Sequence, residues 1–210
     1  MTVQELRAFA VLGTKLFVAT GGAGIYFTTN NGTNWSAAYT GITNLFVSSF
    51  AVSGTNIFAA NYAANPTNEV YLSTNSGTNW TAVSNGLPGE HILSLAALGS
   101  NLFAGLHYNI ANGGVYRTTN NGANWTSVGL LNLTVRALAV SGSNLFAGVD
   151  GGVLLSTNNG TNWITVNNGL TNTTVYSLAV SGTNIFAGTA GGVFLSTNNG
   201  TKKKKKNEGF

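Results

Sequence analysis

Apolar and polar positions alternate in short runs along the chain, and no stretch keeps a helical spacing long enough for a helix. Residues 135–170 show the pattern most plainly: VRALAVSGSNLFAGVDGGVLLSTNNGTNWITVNNGL. Turn residues divide this stretch into four apolar segments. Segment A covers 135–140 and ends at the turn Ser141-Gly142-Ser143-Asn144. Segment B covers 145–148 and ends at Asp150-Gly151-Gly152. Segment C covers 153–157 and ends in an Asn-Asn-Gly turn, and segment D covers 163–166. Each segment is short, rich in β-branched or aromatic residues, and bounded by Gly and Asn, which predicts four strands.

The same order recurs five times. The A segments begin at Leu6, Val47, Ile92, Val135 and Val175, and their turn glycines are Gly13, Gly54, Gly99, Gly142 and Gly182. An eight-residue phrase, TTNNGTNW, starts at Thr28 and recurs from Ser73, Thr118 and Ser156; a fifth copy from Ser196 breaks into lysines. Its starts lie 45, 45, 38 and 40 residues apart. Four antiparallel strands in a unit of about 42 residues, repeated, predict an all-β, five-bladed β-propeller with one repeat per blade. The repeats fall near 5–45, 46–90, 91–133, 134–173 and 174–210, within a single domain spanning 1–210. The chain is expected to open on strand A of the first blade and to end on strand D of the fifth, as an unswapped ring.

The phrase resembles the Asp-box, or BNR repeat, with the pattern Ser/Thr-x-Asp-x-Gly-x-x-Trp. Asn30, Asn75, Asn120, Asn158 and Asn198 stand at the Asp position, and Trp35, Trp80, Trp125 and Trp163 at the Trp position. An Asn keeps the short side-chain oxygen that accepts backbone N–H bonds, and it tolerates left-handed φ, so the turn should survive without its charge. The tryptophans are expected to open strand D and to cover the blade with a large apolar face. The resemblance implies a propeller of the kind found in sialidases, other glycan-active or glycan-binding proteins, sortilin-like receptors and photosystem II assembly factors. It also implies that the phrases serve folding and lie away from the functional face. An extracellular or periplasmic location follows from the resemblance alone; the N-terminal residues do not read as a secretory signal, and no apolar run reaches the length of a membrane-spanning helix.

Charged residues make up 7% of the chain, against about 25% in ordinary globular proteins, so Asn, Thr, Ser and Gly must form most of the surface. The net charge of +4 comes from the run Lys202 to Lys206. The rest of the chain is near neutral and lacks the basic stripe a nucleic-acid binder needs. Aligned without a gap, residues 201–210 place Lys203 where Trp163 stands and Lys206 where Val166 stands. On an edge strand, lysines oppose edge-to-edge pairing; an anion or membrane surface is the other reading. With no cysteine in the chain, disulfides, thiolate chemistry and Cys-ligated zinc are excluded.

Function is expected where the repeats differ. The A-to-B turns and the phrases are nearly invariant, whereas the B-to-C and D-to-A connections vary. The B-to-C connections of blades two and three carry insertions at 61–69 and 106–114. That side collects Arg7, Asn61, Tyr62, Glu69, Glu90, His91, His107, Tyr108, Arg136 and Tyr176. A binding or scaffolding role is expected there, for a protein or peptide partner, with a glycan as the alternative; an engineered or structural repeat without a ligand is the third reading. Catalysis is not expected. A sialidase-like clamp needs three convergent arginines, but Arg117 sits at the end of a C segment, away from Arg7 and Arg136. The carboxylates Glu5, Glu69, Glu90 and Asp150 are scattered over different loops. Two histidines, in different connections, make a weak metal case, and no metal or cofactor is expected. Oligomeric state is left open.

Overall fold

The fold is a five-bladed β-propeller, each blade a four-stranded antiparallel sheet built from one continuous repeat. The computed structural model describes residues 5–62, 69–108 and 112–205; no helix occurs among them. Blade 1 comprises β1 (Leu6–Leu12), β2 (Lys15–Thr20), β3 (Ile25–Thr28) and β4 (Ser36–Ala37). Blade 2 comprises β5 (Val47–Ser53), β6 (Asn56–Asn61), β7 (Val70–Ser73) and β8 (Thr81–Ala82). Blade 3 comprises β9 (Ile92–Leu98), β10 (Asn101–Leu106), β11 (Gly114–Thr118) and β12 (Thr126–Gly129). Blade 4 comprises β13 (Ala137–Ser141), β14 (Asn144–Val149), β15 (Gly152–Ser156) and β16 (Ile164–Thr165). Blade 5 comprises β17 (Val175–Ser181), β18 (Asn184–Thr189), β19 (Gly192–Ser196) and β20 (Lys204–Lys205). The strands of each blade pair in chain order.

Two boundaries differ from the sequence expectation. In blade 4 the first strand starts at Ala137 rather than Val135. Val135 and Arg136 still bond, but to Leu106 and Gly148 outside a regular ladder. Strand D is also shorter than expected and does not begin on the tryptophan; β8 and β16 each contain two residues, and Trp80 and Trp163 immediately precede them. The A-to-B turns place a glycine at φ near +60° as the first central residue, as at Gly54 between Ser53 and Asn56. That is a type II′ hairpin, whose twist matches the flanking strands.

The chain divides into two compact units. One comprises the residues up to Ala104 together with Arg117–Thr126; the other comprises Gly105–Tyr116 and the residues from Ser127 on. In the first, one side of blade 1 (Phe17, Ala19, Ile25) packs on Val47, Phe50, Ile57, Ala59 and Tyr71 of blade 2. The second repeats that junction with equivalent residues: Phe146, Val153 and Leu155 of blade 4 meet Val175, Ile185, Ala187 and Phe194 of blade 5. Alternation along each strand sends one set of residues to each neighbour, so both sides are apolar in a central blade. Burying each large side chain contributes about 1.5–3 kcal/mol.

Every copy of the phrase folds into the same turn. In blade 2, Ser73 Oγ donates to Asn75 Oδ1 (2.9 Å) and accepts from Gly77 N (2.9 Å), while Asn75 Oδ1 also accepts from Asn79 N (3.0 Å). Equivalent bonds are made around Asn30, Asn120, Asn158 and Asn198. The side-chain oxygen thus does what the sequence requires of it. The left-handed residue is the next one, however: Asn31, Ser76, Asn121, Asn159 and Asn199 have φ between 54° and 56°.

The tryptophans do more than cover their own blade. Trp80 Nε1 donates to Ala38 O of the preceding blade (2.8 Å), and Trp125 Nε1 donates to Val83 O (2.7 Å). Trp163 Nε1 donates to Val128 O at 3.3 Å. The main chain joins the same latch: Trp80 N donates to Thr40 O (2.9 Å) and Trp125 N to Asn85 O (2.8 Å). Gly41, at φ +95°, lets this approach happen, since a Cβ there would stand 2.2 Å from Trp80 O.

The edge-protection reading of the lysine run does not extend to Lys203. Lys204 and Lys205 are exposed on the edge strand β20, but Lys203 is buried. Its Nζ donates to Val166 O and to Gly200 O (2.9 Å), and its backbone N donates to Asn168 O (2.7 Å). It therefore fills the tryptophan position and makes the tryptophan's bonds. Lys206 lies outside the described residues.

Candidate functional site

In the first unit, three of the six sequence-selected residues, Arg7, Tyr62 and His91, come together. Arg7 is the second residue of β1 and pairs with Glu5 (3.0 Å), both exposed. Glu5 O accepts from Gly21 N, and Gly21 bridges to Phe46, the residue before β5. Phe46 O in turn accepts from Tyr62 N at 2.8 Å. This relay of main-chain bonds carries the surface from the first blade to the second.

On that relay, Tyr62 stacks on His91 with ring centroids 4.2 Å apart and planes 23° apart. The Arg7 guanidinium lies 6.0 Å from the centre of the Tyr62 ring, within the range of a cation–π contact. Phe46 is 48% exposed beside them. Sequence reasoning missed Phe46, although a signal existed: the equivalent positions carry His91, Thr134 and Thr174, so an apolar ring there departs from the pattern.

Asn61 is drawn inward instead. It is fully buried, and its Oδ1 accepts from Glu69 N (2.7 Å), closing the base of the blade-two insertion. Residues 63–68 of that insertion lie outside the described residues. Glu69 bonds the Tyr71 hydroxyl, which also meets Thr43 Oγ1 at 2.8 Å. Burial, followed by the Glu69 bond, raises the Tyr71 hydroxyl above its ordinary pKa. Glu90 is half-buried just before His91.

The second unit holds the other four candidates. His107 and Tyr108 follow β10, and Tyr108 N donates to Thr134 Oγ1 (3.1 Å). Arg136 grips Asp150 through Nε and Nη2 at 3.0 to 3.1 Å, and its guanidinium lies 5.7 Å from the centre of the Tyr176 ring. Arg7 and Arg136 are thus equivalent in sequence and in use: each pairs with a carboxylate of its own blade and faces a tyrosine of the next. Glu5, Glu69 and Asp150 are engaged by Arg7, Tyr71 and Arg136 respectively. Among the described residues, no group of three His, Asp or Glu side chains is arranged to hold a metal ion, and no helix is long and apolar enough to cross a membrane.

No family model and no curated protein matches the chain. Solved structures resemble it in fold. The extracellular domain of BT4673 from B. thetaiotaomicron superposes with a TM-score of 0.74 at 18% identity, over 95% of this chain and 27% of that one. An ancestral GH74 enzyme gives 0.73 at 19% identity, over 92% of this chain and 30% of that one. YCF48 from Cyanidioschyzon merolae gives 0.68 at 17% identity, over 95% of this chain and 69% of that one. The chain spans under a third of the first two proteins. These similarities establish the β-propeller.

Proposed function

We propose that the chain is a non-enzymatic binding module that takes a protein or peptide partner on the Arg7–Phe46–Tyr62–His91 surface. The carrying observation is the exposed strip of aromatic and cationic side chains fixed by main-chain bonds, on a surface otherwise built from small neutral residues. Aromatic residues and arginine dominate protein recognition sites because they bury much area at low entropic cost. Arg7, paired with Glu5, supplies a guanidinium plane at one end of the strip, and Phe46 a half-exposed ring.

Two observations favour a peptide over a glycan. His91 already covers one face of the Tyr62 ring, which removes a face a sugar would stack on. The position of Tyr62 is occupied by Gly21, His107, Asp150 and Ala190 in the other blades, so no repeated pocket exists. A repeat lectin would present near-equivalent pockets.

Catalysis finds no support in this surface, where Arg7 and Glu5 neutralise each other. The phrase turns support membership of the Asp-box family with Asn substituted for Asp. An extracellular setting suits this reading and agrees with the setting of the BT4673 domain. The test is selection from a random peptide library, alongside a glycan array. Peptides whose affinity falls at least tenfold on Tyr62→Ala support the proposal; array hits without peptide ligands replace it with the lectin reading.

A further inference from the structure

A closed ring of hydrogen bonds within the first unit passes through two members of the strip, and its central group is a buried phenol. Tyr71 is 1% exposed, and its hydroxyl donates to the half-buried carboxylate of Glu69. A phenol has one proton to give, so Thr43 Oγ1, 2.8 Å away, donates to it in turn. Beside Thr43, Asn44 Oδ1 accepts from Phe46 N (3.0 Å), and Phe46 O accepts from Tyr62 N (2.8 Å). Asn61, next to Tyr62, returns to Glu69 twice. Its N donates to Glu69 O (3.1 Å), and its Oδ1 accepts from Glu69 N (2.7 Å).

The sequence sets this ring apart from the other blades. The residue four before the phrase is Gly24, Gly114, Gly152 or Gly192 in blades 1, 3, 4 and 5, each at φ between 85° and 118°. Blade 2 alone has a side chain there, Glu69. The same blade carries Tyr62, whose place the others fill with Gly21, His107, Asp150 and Ala190. The carboxylate that binds the phenol and the ring that joins the strip therefore occur in one repeat.

We propose that Glu69 and Tyr71 are positioning residues of the strip: their bond ties the connection that carries Phe46 to the strand end that carries Tyr62, and so sets the two rings against each other. This deepens the reading of the strip as a peptide site and rests on it. Tyr71 is covered and acts through Thr43 and Glu69. Burial and the Glu69 bond keep its hydroxyl protonated, as the donor the ring requires. Deleting one member of such a network leaves its partners unmatched, so both segments loosen together.

The test uses Tyr71→Phe, which keeps the aromatic ring and removes the hydroxyl. Tyr116→Phe, at the equivalent buried tyrosine of blade 3, is the control. Glu69→Ala and Glu69→Gln form a second pair, since glutamine keeps an oxygen for the Tyr71 hydroxyl. Hydrogen exchange in the free protein should be about tenfold faster at Phe46 N and Tyr62 N in Tyr71→Phe and Glu69→Ala. Glu69→Gln and Tyr116→Phe should keep wild-type rates there. Trp80 N, bonded to Thr40 O, should keep its rate in all four. Affinity for a peptide selected on the wild type should fall in the same two variants and be rescued in Glu69→Gln. Thr43→Val opens the ring from its exposed side and should loosen the same two amides, which covers a Tyr71→Phe chain that does not fold. Wild-type exchange at Phe46 and Tyr62 in Tyr71→Phe overturns the inference, as does equal acceleration at Trp80 N, an equal loss in Tyr116→Phe, or faster exchange with undiminished affinity. If no peptide binds the wild type, the binding reading fails instead, and exchange alone decides whether Glu69 and Tyr71 set the two rings.

Discussion

Lys203 donates its buried ammonium to the carbonyl of Val166, the same bond that Trp80 makes to Ala38 through its indole. An ammonium has three strong donors but loses hydration there, and burial pushes its pKa from 10.5 down to about 8. The unfolded chain keeps the ordinary value and so holds the extra proton between those limits. Stability should therefore rise as pH climbs from about 8 to about 10.5. Lys203→Trp should be more stable than the wild type at pH 7 and should lack this rise. The difference between their urea midpoints as a function of pH is the measurement, which cancels the tyrosines that titrate in both.

The inter-blade latch can be weighed by a matched pair. Trp80→Phe keeps most of the ring but leaves the Ala38 carbonyl unmatched, at an expected cost of about 1–3 kcal/mol. Trp35→Phe loses no inter-blade bond and should cost clearly less. Urea denaturation of the two variants checks the order; equal costs would assign the tryptophans to packing alone.

Gly41 tests the close approach behind that latch. Gly41→Ala combines left-handed φ with a Cβ 2.2 Å from Trp80 O, so the D-to-A linker must shift. Gly54→Ala shares a positive φ but meets nothing within 4 Å. The first substitution should lower stability by more than the second, for which about 1 kcal/mol is expected. A thermal melt of each variant decides it.

Restoring the acid at one phrase isolates the role of the side-chain oxygen. Asn75→Asp keeps the bonds from Ser73 Oγ and Asn79 N, now to a carboxylate, and should match or exceed the wild type at pH 7. Because those donors favour the charged form, the carboxyl of the folded variant should titrate below its unfolded value, and the gain should fade as pH falls through the carboxylate range. Asn75→Ala should cost about 1–2 kcal/mol. Chemical denaturation at pH 7 and pH 4 separates the three chains.

The blades were legible because turns and alternation are local. Gly54 and Asn75 announce their turns without reference to anything distant in sequence. The latch was not legible: that Trp80 reaches Ala38 depends on how one blade is set against the next, and composition carries no record of that angle. Lys203 shows both sides of this. Gapless alignment put it at the tryptophan position, yet a lysine run reads as solvent-exposed, and only the packed junction shows one of its members buried. Within the candidate surface, Tyr62 and His91 were selected for lying in variable connections and Arg7 for standing early in strand A on the same side, and the main-chain relay beside them became visible only with the fold. Phe46 was passed over because one apolar residue beside a strand looks like more strand.

The location of a bound partner tests the account most directly. Hydrogen exchange measured with and without a selected peptide ligand should show new protection around Gly21, Phe46, Tyr62 and His91, with the phrase turns at residues 28–35, 73–80 and 118–125 unchanged. Protection confined to those turns, with the Tyr62 strip exchanging as in the free protein, would contradict it.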